Sequence, residues 1–320
     1  MPVTAAQTRP ILTLTLNPAL DMATTVHSIE PERKLRCTDP LLDPGGGGLN
    51  VSRAIRLLGG ESLALVALGG LTGDRLAGLI RAEGITFLSL LGPGETRTSL
   101  SVTETTTGRQ FRFMLPGPVW QPEHRTQVFT LLRATARPGG IGVISGSQPP
   151  GVPDDFPRQL AEAMGDTAVV LDTSGPTLTE AVRHPIPGLA VLRMDSEEAE
   201  GLAGCRLISR TDTADFAASL VRAGVAQQVL VARGGDGNVL AEAGRRTFAQ
   251  APRVKVVSTV GAGDSFTAAY VLAMSRGEPA AVALRAATAA AAAAVMTPAT
   301  ELCRRADAER LAAAAETTEL

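Results

Sequence analysis

Apolar residues fall in short runs along this chain, and the runs alternate with stretches of helical spacing. Ile11-Leu12-Thr13-Leu14-Thr15-Leu16 is rich in β-branched and apolar residues, and Asn17-Pro18 breaks it. That pattern predicts a central strand closed by a turn. Similar runs stand at 63–68, 142–144, 168–171, 189–192 and 229–231. Apolar residues three and four apart predict helices over 51–58, 75–83, 157–164 and 215–223. Strand alternating with helix in this way predicts an α/β fold, a parallel sheet with helices on both faces.

Two regions depart from the alternation. Residues 23–43 and 96–113 are short, alternating and turn-rich, and Arg109-Gln110-Phe111-Arg112-Phe113 alternates polar with aromatic. The second pattern predicts a half-buried antiparallel strand. Both regions are predicted to form a small second sheet inserted into a single domain over 11–310. The alanine-rich stretch at 286–295 is too short to cross a bilayer. Alanine is the best helix former, so a packed helix is expected there. Residues 1–10 are polar and expected to fray.

Composition narrows the function classes. Thirty Lys and Arg against 32 Asp and Glu leave a net charge of −2. There is no long basic run, so neither nucleic acid nor a membrane surface is an expected partner. Cys37, Cys205 and Cys303 are odd in number, far apart and outside any CxxC pair. They read as semi-buried thiols of a cytoplasmic protein. A chain of 320 residues suits an α/β enzyme carrying a lid, with no need of a metal or disulfide staple.

Four segments have the residue types that chemistry needs. Gly45, Gly46, Gly47 and Gly48 lead into the helical stretch at 51–58. Glycines permit close backbone approach, and a helix start offers free amides to anions and hydroxyls. Asn50 can cap that helix and still reach a ligand. No Lys-Ser or Lys-Thr follows, so this is not a P-loop. Ser258-Thr259-Val260-Gly261-Ala262-Gly263-Asp264-Ser265 is a small-residue turn feeding a helix expected from Ser265. Its free amides and dipole suit a phosphoryl group in flight. Asp264 is placed to take a proton from an attacking hydroxyl, or else simply caps the helix. Gly234-Gly235-Asp236-Gly237 leaves one strand, and Ser145-Gly146-Ser147-Gln148-Pro149-Pro150-Gly151 leaves another. Each is either a ligand loop at a strand's carboxyl end or a plain turn. Lys34, Arg36 and Arg97 lie in the lid regions as candidate phosphate ligands.

Taken together, these segments resemble the ribokinase-like (PfkB) carbohydrate kinase family over nearly the whole chain. Pro44-Gly45-Gly46-Gly47-Gly48-Leu49-Asn50-Val51-Ser52-Arg53-Ala54 and Thr259-Val260-Gly261-Ala262-Gly263-Asp264-Ser265-Phe266 carry the resemblance. Leu16-Asn17-Pro18-Ala19-Leu20-Asp21 and the 145–151 segment point to its phosphosugar branch. Lys34-Leu35-Arg36-Cys37 and Thr96-Arg97 resemble the minor-isozyme group of bacterial 6-phosphofructokinases.

The resemblance implies a ribokinase-like sheet with a small β-sheet lid and transfer of the ATP γ-phosphate to a phosphosugar. Fructose 6-phosphate is the expected acceptor, with fructose 1-phosphate or tagatose 6-phosphate as alternatives. A sugar-phosphate-binding protein with impaired catalysis is the alternative from another class. By the same resemblance, Asp264 is the catalytic base, and Gly261, Ala262 and Gly263 form the anion hole. Asp21, Asn50, Gly46, Gly47 and Gly48 hold sugar hydroxyls, and Arg97 and Ser147 sit by the sugar and its phosphate. Lys34 and Arg36 reach a phosphate across a lid-to-lid homodimer. Arg193, Asp195, Ala232, Gly234 and Gly237 line the nucleotide. Glu198 acts on Mg²⁺ through water, and Asp172 supports the cleft.

The chain also departs from the family. The usual Lys-Pro-Asn followed by Glu reads Arg193-Met194-Asp195-Ser196-Glu197-Glu198. Asp195 is therefore either a second metal carboxylate or the cap of the following helix. Ala232 replaces an expected serine. The loop that usually carries Gly-Thr reads Pro298-Ala299-Thr300-Glu301, which leaves K⁺ dependence open.

Overall fold

Strand β1 (Ile11–Thr15) is buried along its whole length. Leu12 and Leu14 enter one apolar layer and Ile11 enters another, so helices must cover both faces. Thr13 is polar, and its hydroxyl meets that of Ser52 at 2.8 Å.

The computed structural model describes residues 8–298 and 300–320. After β1 come β2 (Ala19–Val26), β3 (Leu41–Gly45), α1 (Gly47–Leu57), β4 (Leu63–Leu68), α2 (Gly70–Ala82) and β5 (Phe87–Leu91). Next are β6 (Arg97–Glu104), β7 (Gln110–Met114), α3 (Pro122–Thr135), β8 (Ile141–Ser145), α4 (Phe156–Met164), β9 (Ala168–Asp172) and α5 (Gly175–Arg183). Then follow β10 (Val191–Asp195), α6 (Ser196–Ala203), α7 (Arg210–Arg222), β11 (Gln228–Ala232), β12 (Gly237–Glu242) and β13 (Arg245–Gln250). The last are α8 (Ala262–Ser275), α9 (Ala280–Ala294), α10 (Arg305–Ala314) and β14 (Thr317–Glu319).

Among the described residues the strands form two sheets. The larger has the order β14-β13-β12-β11-β10-β9-β8-β1-β4-β5. It is parallel from β11 through β5 and antiparallel from β11 through β14. Helices α3 to α7 pack on one face, and α1, α8, α9 and α10 on the other. Helix α2 packs with β4 in a third apolar cluster. Helix α9 contains most of the alanine stretch. Ala283, Ala287, Ala290 and Ala294 are fully buried there, small enough for close packing against α8. The smaller sheet has the order β3-β2-β6-β7. This is the α/β architecture the sequence predicts, with its separate small sheet.

Several boundaries differ from expectation. The small sheet begins at Ala19 rather than 23, because β2 pairs with β3 and β6 directly after Pro18. Asp21 therefore stands on that sheet. Strand β7 is exposed at every residue rather than half-buried, because among the described residues it pairs only with β6 and nothing covers its faces. The strand expected at 189–192 lies at Val191–Asp195. Helix α1 starts four residues before 51, and α8 starts three before Ser265. Cys37 and Cys205 are exposed rather than semi-buried, and Cys303 is fully buried. Residues 1–7 of the stretch expected to fray lie outside the described residues.

Glycines separate into two kinds by what surrounds them. A Cβ on Gly48 would overlap the Leu14 carbonyl oxygen, whereas one on Gly78, inside α2, would meet nothing within 4 Å. Gly48→Ala should therefore destabilise the fold by about 1–3 kcal/mol, the usual cost of overpacking. Gly78→Ala should stabilise it by up to about 1 kcal/mol. Urea unfolding of the two variants checks the opposite signs.

Candidate active site

Register sets the floor of the site. Ser145 at the end of β8 lies opposite Asp172 at the end of β9. Asp172 lies opposite Arg193 on β10, and Asp195 lies opposite Ala232 at the end of β11. Polar residues therefore gather at the carboxyl ends of parallel strands, where α/β sheets bind ligands.

The glycine run is pressed onto this floor. Gly46 has φ 120°, a conformation open to glycine, and it is the N-cap of α1. A Cβ on Gly47 would come within 2.6 Å of the Gly146 nitrogen and the Ser145 hydroxyl. Asn50 is not a cap: it lies inside α1, and its N–H bonds the Gly46 carbonyl at 2.8 Å. Its side chain is committed at both ends. Nδ2 donates to Oδ2 of Asp264 at 2.9 Å, and Oδ1 accepts from Arg53 at 3.2 Å. Buried Arg53 in turn forks onto Glu83 at 2.7 and 2.8 Å.

Asp264 is not a cap either. Gly261, in the left-handed region at φ 75°, is the N-cap of α8, and Asp264 lies in the first turn. The amides of that turn, including those of Ala262 and Gly263, have no acceptor within the helix. Gly263 is bare for a reason: a Cβ there would lie 3.0 Å from Nη2 of Arg193. The guanidinium thus rests against the positive end of α8. Its Nη1 pairs with Oδ1 of Asp172 at 3.1 Å, and the other Asp172 oxygen accepts from Thr267 at 2.8 Å. Arg193 Nε is buried without a partner among the described residues. Burial, then the charge of Asp172, pushes the Asp264 carboxyl up to about 6, against the Asn50 hydrogen bond and the charge of Arg193.

The small sheet supplies a second set. Asp21, on β2, is also pushed up to about 6 by burial, although Arg97, Arg53 and Arg112 oppose the shift. A Cβ on Gly45 would overlap its carboxylate. Arg97 opens β6 and donates to the Asn17 carbonyl, and the exposed Ser147 accepts from the Asn17 side chain. Lys34 and Arg36 are not brought to this cluster by any bond. They lie in the exposed segment between β2 and β3, without hydrogen bond or ion pair among the described residues.

On the other side, Gly234 (φ 56°) and Gly235 face open space, while a Cβ on Gly237 would overlap the Ala249 carbonyl. The Ala232 carbonyl accepts from Ser196 at 2.7 Å. Asp195 caps α6 in a reciprocal box with Glu198, through hydrogen bonds of 2.9 and 2.8 Å. Of the two alternatives for Asp195, the structure displays the cap. Burial raises the Glu198 carboxyl, while the Asp195 N–H lowers it. Among the described residues, no three His, Cys, Asp or Glu side chains gather as a metal cluster. In the 298–301 loop the Thr300 hydroxyl bonds to the Asp43 carboxylate, and Ala299 lies outside the described residues.

Three residues of this site were given no role of their own by the sequence: Asn17 and Arg53, which lie inside the family-like motifs, and Thr267, just beyond one. Thr267 stands three positions after Asp264 and Arg53 three after Asn50. Spacing along one helix face is the clue that marks both.

This is the architecture of a carbohydrate kinase. The chain belongs to the pfkB family of carbohydrate kinases, whose family model matches residues 15–307. ATP-dependent 6-phosphofructokinase isozyme 2 of Mycobacterium tuberculosis (strain ATCC 25618 / H37Rv) is 39% identical over 315 residues, 97% of this chain and 91% of the relative. The protein of the same name from Escherichia coli (strain K12) is 35% identical over 303 residues, 94% and 97% of the two chains. The crystal structure of phosphofructokinase-2 from Escherichia coli in complex with potassium aligns with a TM-score of 0.90 at 34% identity, covering 96% of this chain and 99% of the other. The ribokinase of Arabidopsis thaliana, at 20% identity and a TM-score of 0.73, shares the fold. No helix among the described residues is long and apolar enough to cross a membrane.

The raised Asp264 carboxyl has a stability consequence. Between its ordinary value of 3.8 and its folded value of about 6, the folded protein holds more proton than the unfolded chain. Stability therefore falls as pH rises through that window, and the deficit persists above it. Asp264→Asn should melt higher than the parent near neutral pH, with the gain fading toward about pH 4. Melting curves across that range check the sign. A lower melting temperature at neutral pH would mean that Asn50 and Arg193 more than satisfy the carboxylate.

Proposed function

We propose that this protein transfers the γ-phosphate of ATP to the free primary hydroxyl of fructose 6-phosphate, giving fructose 1,6-bisphosphate and ADP in the cytoplasm. The observation that carries it is Asp264, a carboxylate with a raised pKa at the open start of α8 beside Arg193. Asn50 engages Oδ2, and Oδ1 is left to take the hydroxyl proton as the sugar oxygen attacks phosphorus. The bond to the leaving ADP breaks as the new P–O bond forms. The amides of Ala262 and Gly263 and the Arg193 guanidinium face the charge that spreads over the phosphoryl oxygens. Asp21, Asn50 and the run Gly46, Gly47 and Gly48 seat the sugar, and Arg97 and Ser147 its phosphate. Gly234, Gly237 and Ala232 line the nucleotide.

Mg²⁺ carried with ATP supplies further charge neutralisation. It needs few protein ligands and keeps several waters. Glu198 suits that role through water, since its box with Asp195 uses one oxygen of each carboxylate. Asp195 itself serves as the helix cap. The substrate assignment draws on the two 6-phosphofructokinase relatives. A more distant one, at 31% identity, is a 1-phosphofructokinase of Xanthomonas campestris.

An ATP-turnover assay with fructose 6-phosphate, fructose 1-phosphate, tagatose 6-phosphate and unphosphorylated fructose tests the proposal. Fructose 6-phosphate should have the highest kcat/KM, and the same assay in K⁺ and in Na⁺ reads monovalent-cation dependence. Asp264→Asn should lower kcat by about 10²-fold or more, with the sugar still bound. The parent's kcat should fall as pH drops below about 6, where Asp264 gains its proton. Near-normal turnover in Asp264→Asn would remove the base from the mechanism.

The same proposal includes a homodimer through the small sheets. Phe111 and Phe113 are exposed on one face of the small sheet and Met114 and Leu41 on the other, and Lys34 and Arg36, in the segment between β2 and β3, have no hydrogen bond or ion pair among the described residues. Pairing of lids would cover an apolar face and deliver Lys34 and Arg36 to the neighbour's phosphosugar. A Lys34→Ala/Arg36→Ala protein mixed with an Asp264→Asn protein should then regain activity as subunits exchange. Activity fixed at the sum of the two, despite demonstrated exchange, would mean each site is built from one chain.

A further inference from the structure

The phosphosugar seat proposed above, on which this inference rests, is organised around Asn17. This residue follows β1, where the strand gives way to Pro18. Its Nδ2 donates to the Ser147 hydroxyl oxygen at 3.2 Å. Its main-chain carbonyl accepts from Nε and Nη2 of Arg97 at 3.3 and 3.2 Å. Gly117 folds against its side chain, where a Cβ would overlap Oδ1 and lie 3.7 Å from Cδ of Arg97. Arg97 Nη1 also reaches the Leu115 carbonyl at 3.5 Å. Four segments of the chain therefore meet at this one residue, and its Oδ1 is buried without a partner among the described residues.

The direction of the hydrogen bond to Ser147 matters. A hydroxyl that accepts from an amide N–H keeps its own proton free to donate elsewhere. A phosphate dianion needs donors, and here a hydroxyl donor and a guanidinium are held by the same residue. We propose that Asn17 is a positioning residue for the substrate phosphate, aiming the Ser147 proton and holding Arg97 until the phosphate displaces the Asn17 carbonyl from it.

Aspartate at this position separates that role from a structural one. It matches asparagine in size but can only accept, so the Ser147 hydroxyl must donate to it and turn a lone pair toward the phosphate. It also places a negative charge beside the dianion. Asn17→Asp should raise KM for fructose 6-phosphate by about tenfold or more, and Asn17→Ala by about fivefold, the scale of one hydrogen bond. KM for ATP should stay within about twofold in both, since the contacts involved are local. In a Ser147→Ala background the Asn17→Ala change should add little, because its target is gone.

If Asn17 only supports the fold, the ranking reverses. The near-isosteric aspartate is then milder than alanine, both Michaelis constants move together, and the Ser147→Ala background makes no difference. Those outcomes overturn the proposal. Should Asn17→Ala not fold, Asn17→Asp against the parent, with and without Ser147→Ala, still decides. Parent turnover of fructose 6-phosphate is measured first. Its absence sinks the proposed function and this role with it, whereas its presence with the reversed ranking sinks only the role of Asn17.

Discussion

A single hydrogen bond, from Asn50 to Asp264, joins parts of the chain 214 positions apart. It ties α1 to the first turn of α8 and sets the distance between the glycine run and that helix start. Much of the site can be understood as what this bond requires. Helix α1 must lie close on β1, so Gly48 has no room for a side chain against Leu14. Asn50 must be held from behind, which Arg53 does while its charge is answered by Glu83. A buried guanidinium without that partner would carry a large desolvation cost.

The opposite wall is fixed by charge. Arg193 of β10 and Thr267 of α8 both bond to Asp172 of β9, so the cation next to Gly263 is held to the sheet through that one carboxylate. This arrangement gives the site two electrostatic characters within one cleft. The carboxylates of Asp264 and Asp21 are both pushed toward their neutral forms by burial. The helix start and Arg193 keep the neighbouring space positive. The cleft thus sets carboxyls pushed toward their neutral forms beside a positive surface.

Much of this was legible in the sequence. The apolar runs announced the parallel strands, because strands buried on both faces have no polar alternation to obscure them. The two glycine motifs announced the starts of α1 and α8, although not to the residue. Glycine lets the helix begin earlier than its first apolar residue, which moved Asn50 from cap to interior. Asp195 had two readings because a capping carboxylate and a metal carboxylate look alike in sequence; the structure displays its reciprocal bond with Glu198 as a cap. Strands β12 to β14 left little trace: β13 begins with Arg245-Arg246-Thr247 rather than an apolar run, and β14 has three polar residues. The bonds of Asn17 and Thr267 were silent for a different reason. Their partners, Ser147 and Asp172, lie 130 and 95 positions away, and no local pattern records such a pairing.

The order of strands in the large sheet bears on how the molecule assembles. From β1 outward, β8, β9, β10, β11, β12, β13 and β14 are laid side by side in the order in which the chain is made. From β8 through β13 each new strand docks beside the one before it, so this part of the sheet extends by short-range steps, whereas three helices separate β14 from β13. Helix α1 is made early, yet the helix it packs against, α8, arrives some two hundred residues later. On a nascent chain, the apolar side formed by Val51, Ala54 and Ile55 is therefore left waiting for α8. Closure of that long-range contact is slow in the way that distant pairings are. The event that buries this surface is also the one that brings Asn50 to Asp264, so the cleft comes into being only when α8 docks on α1.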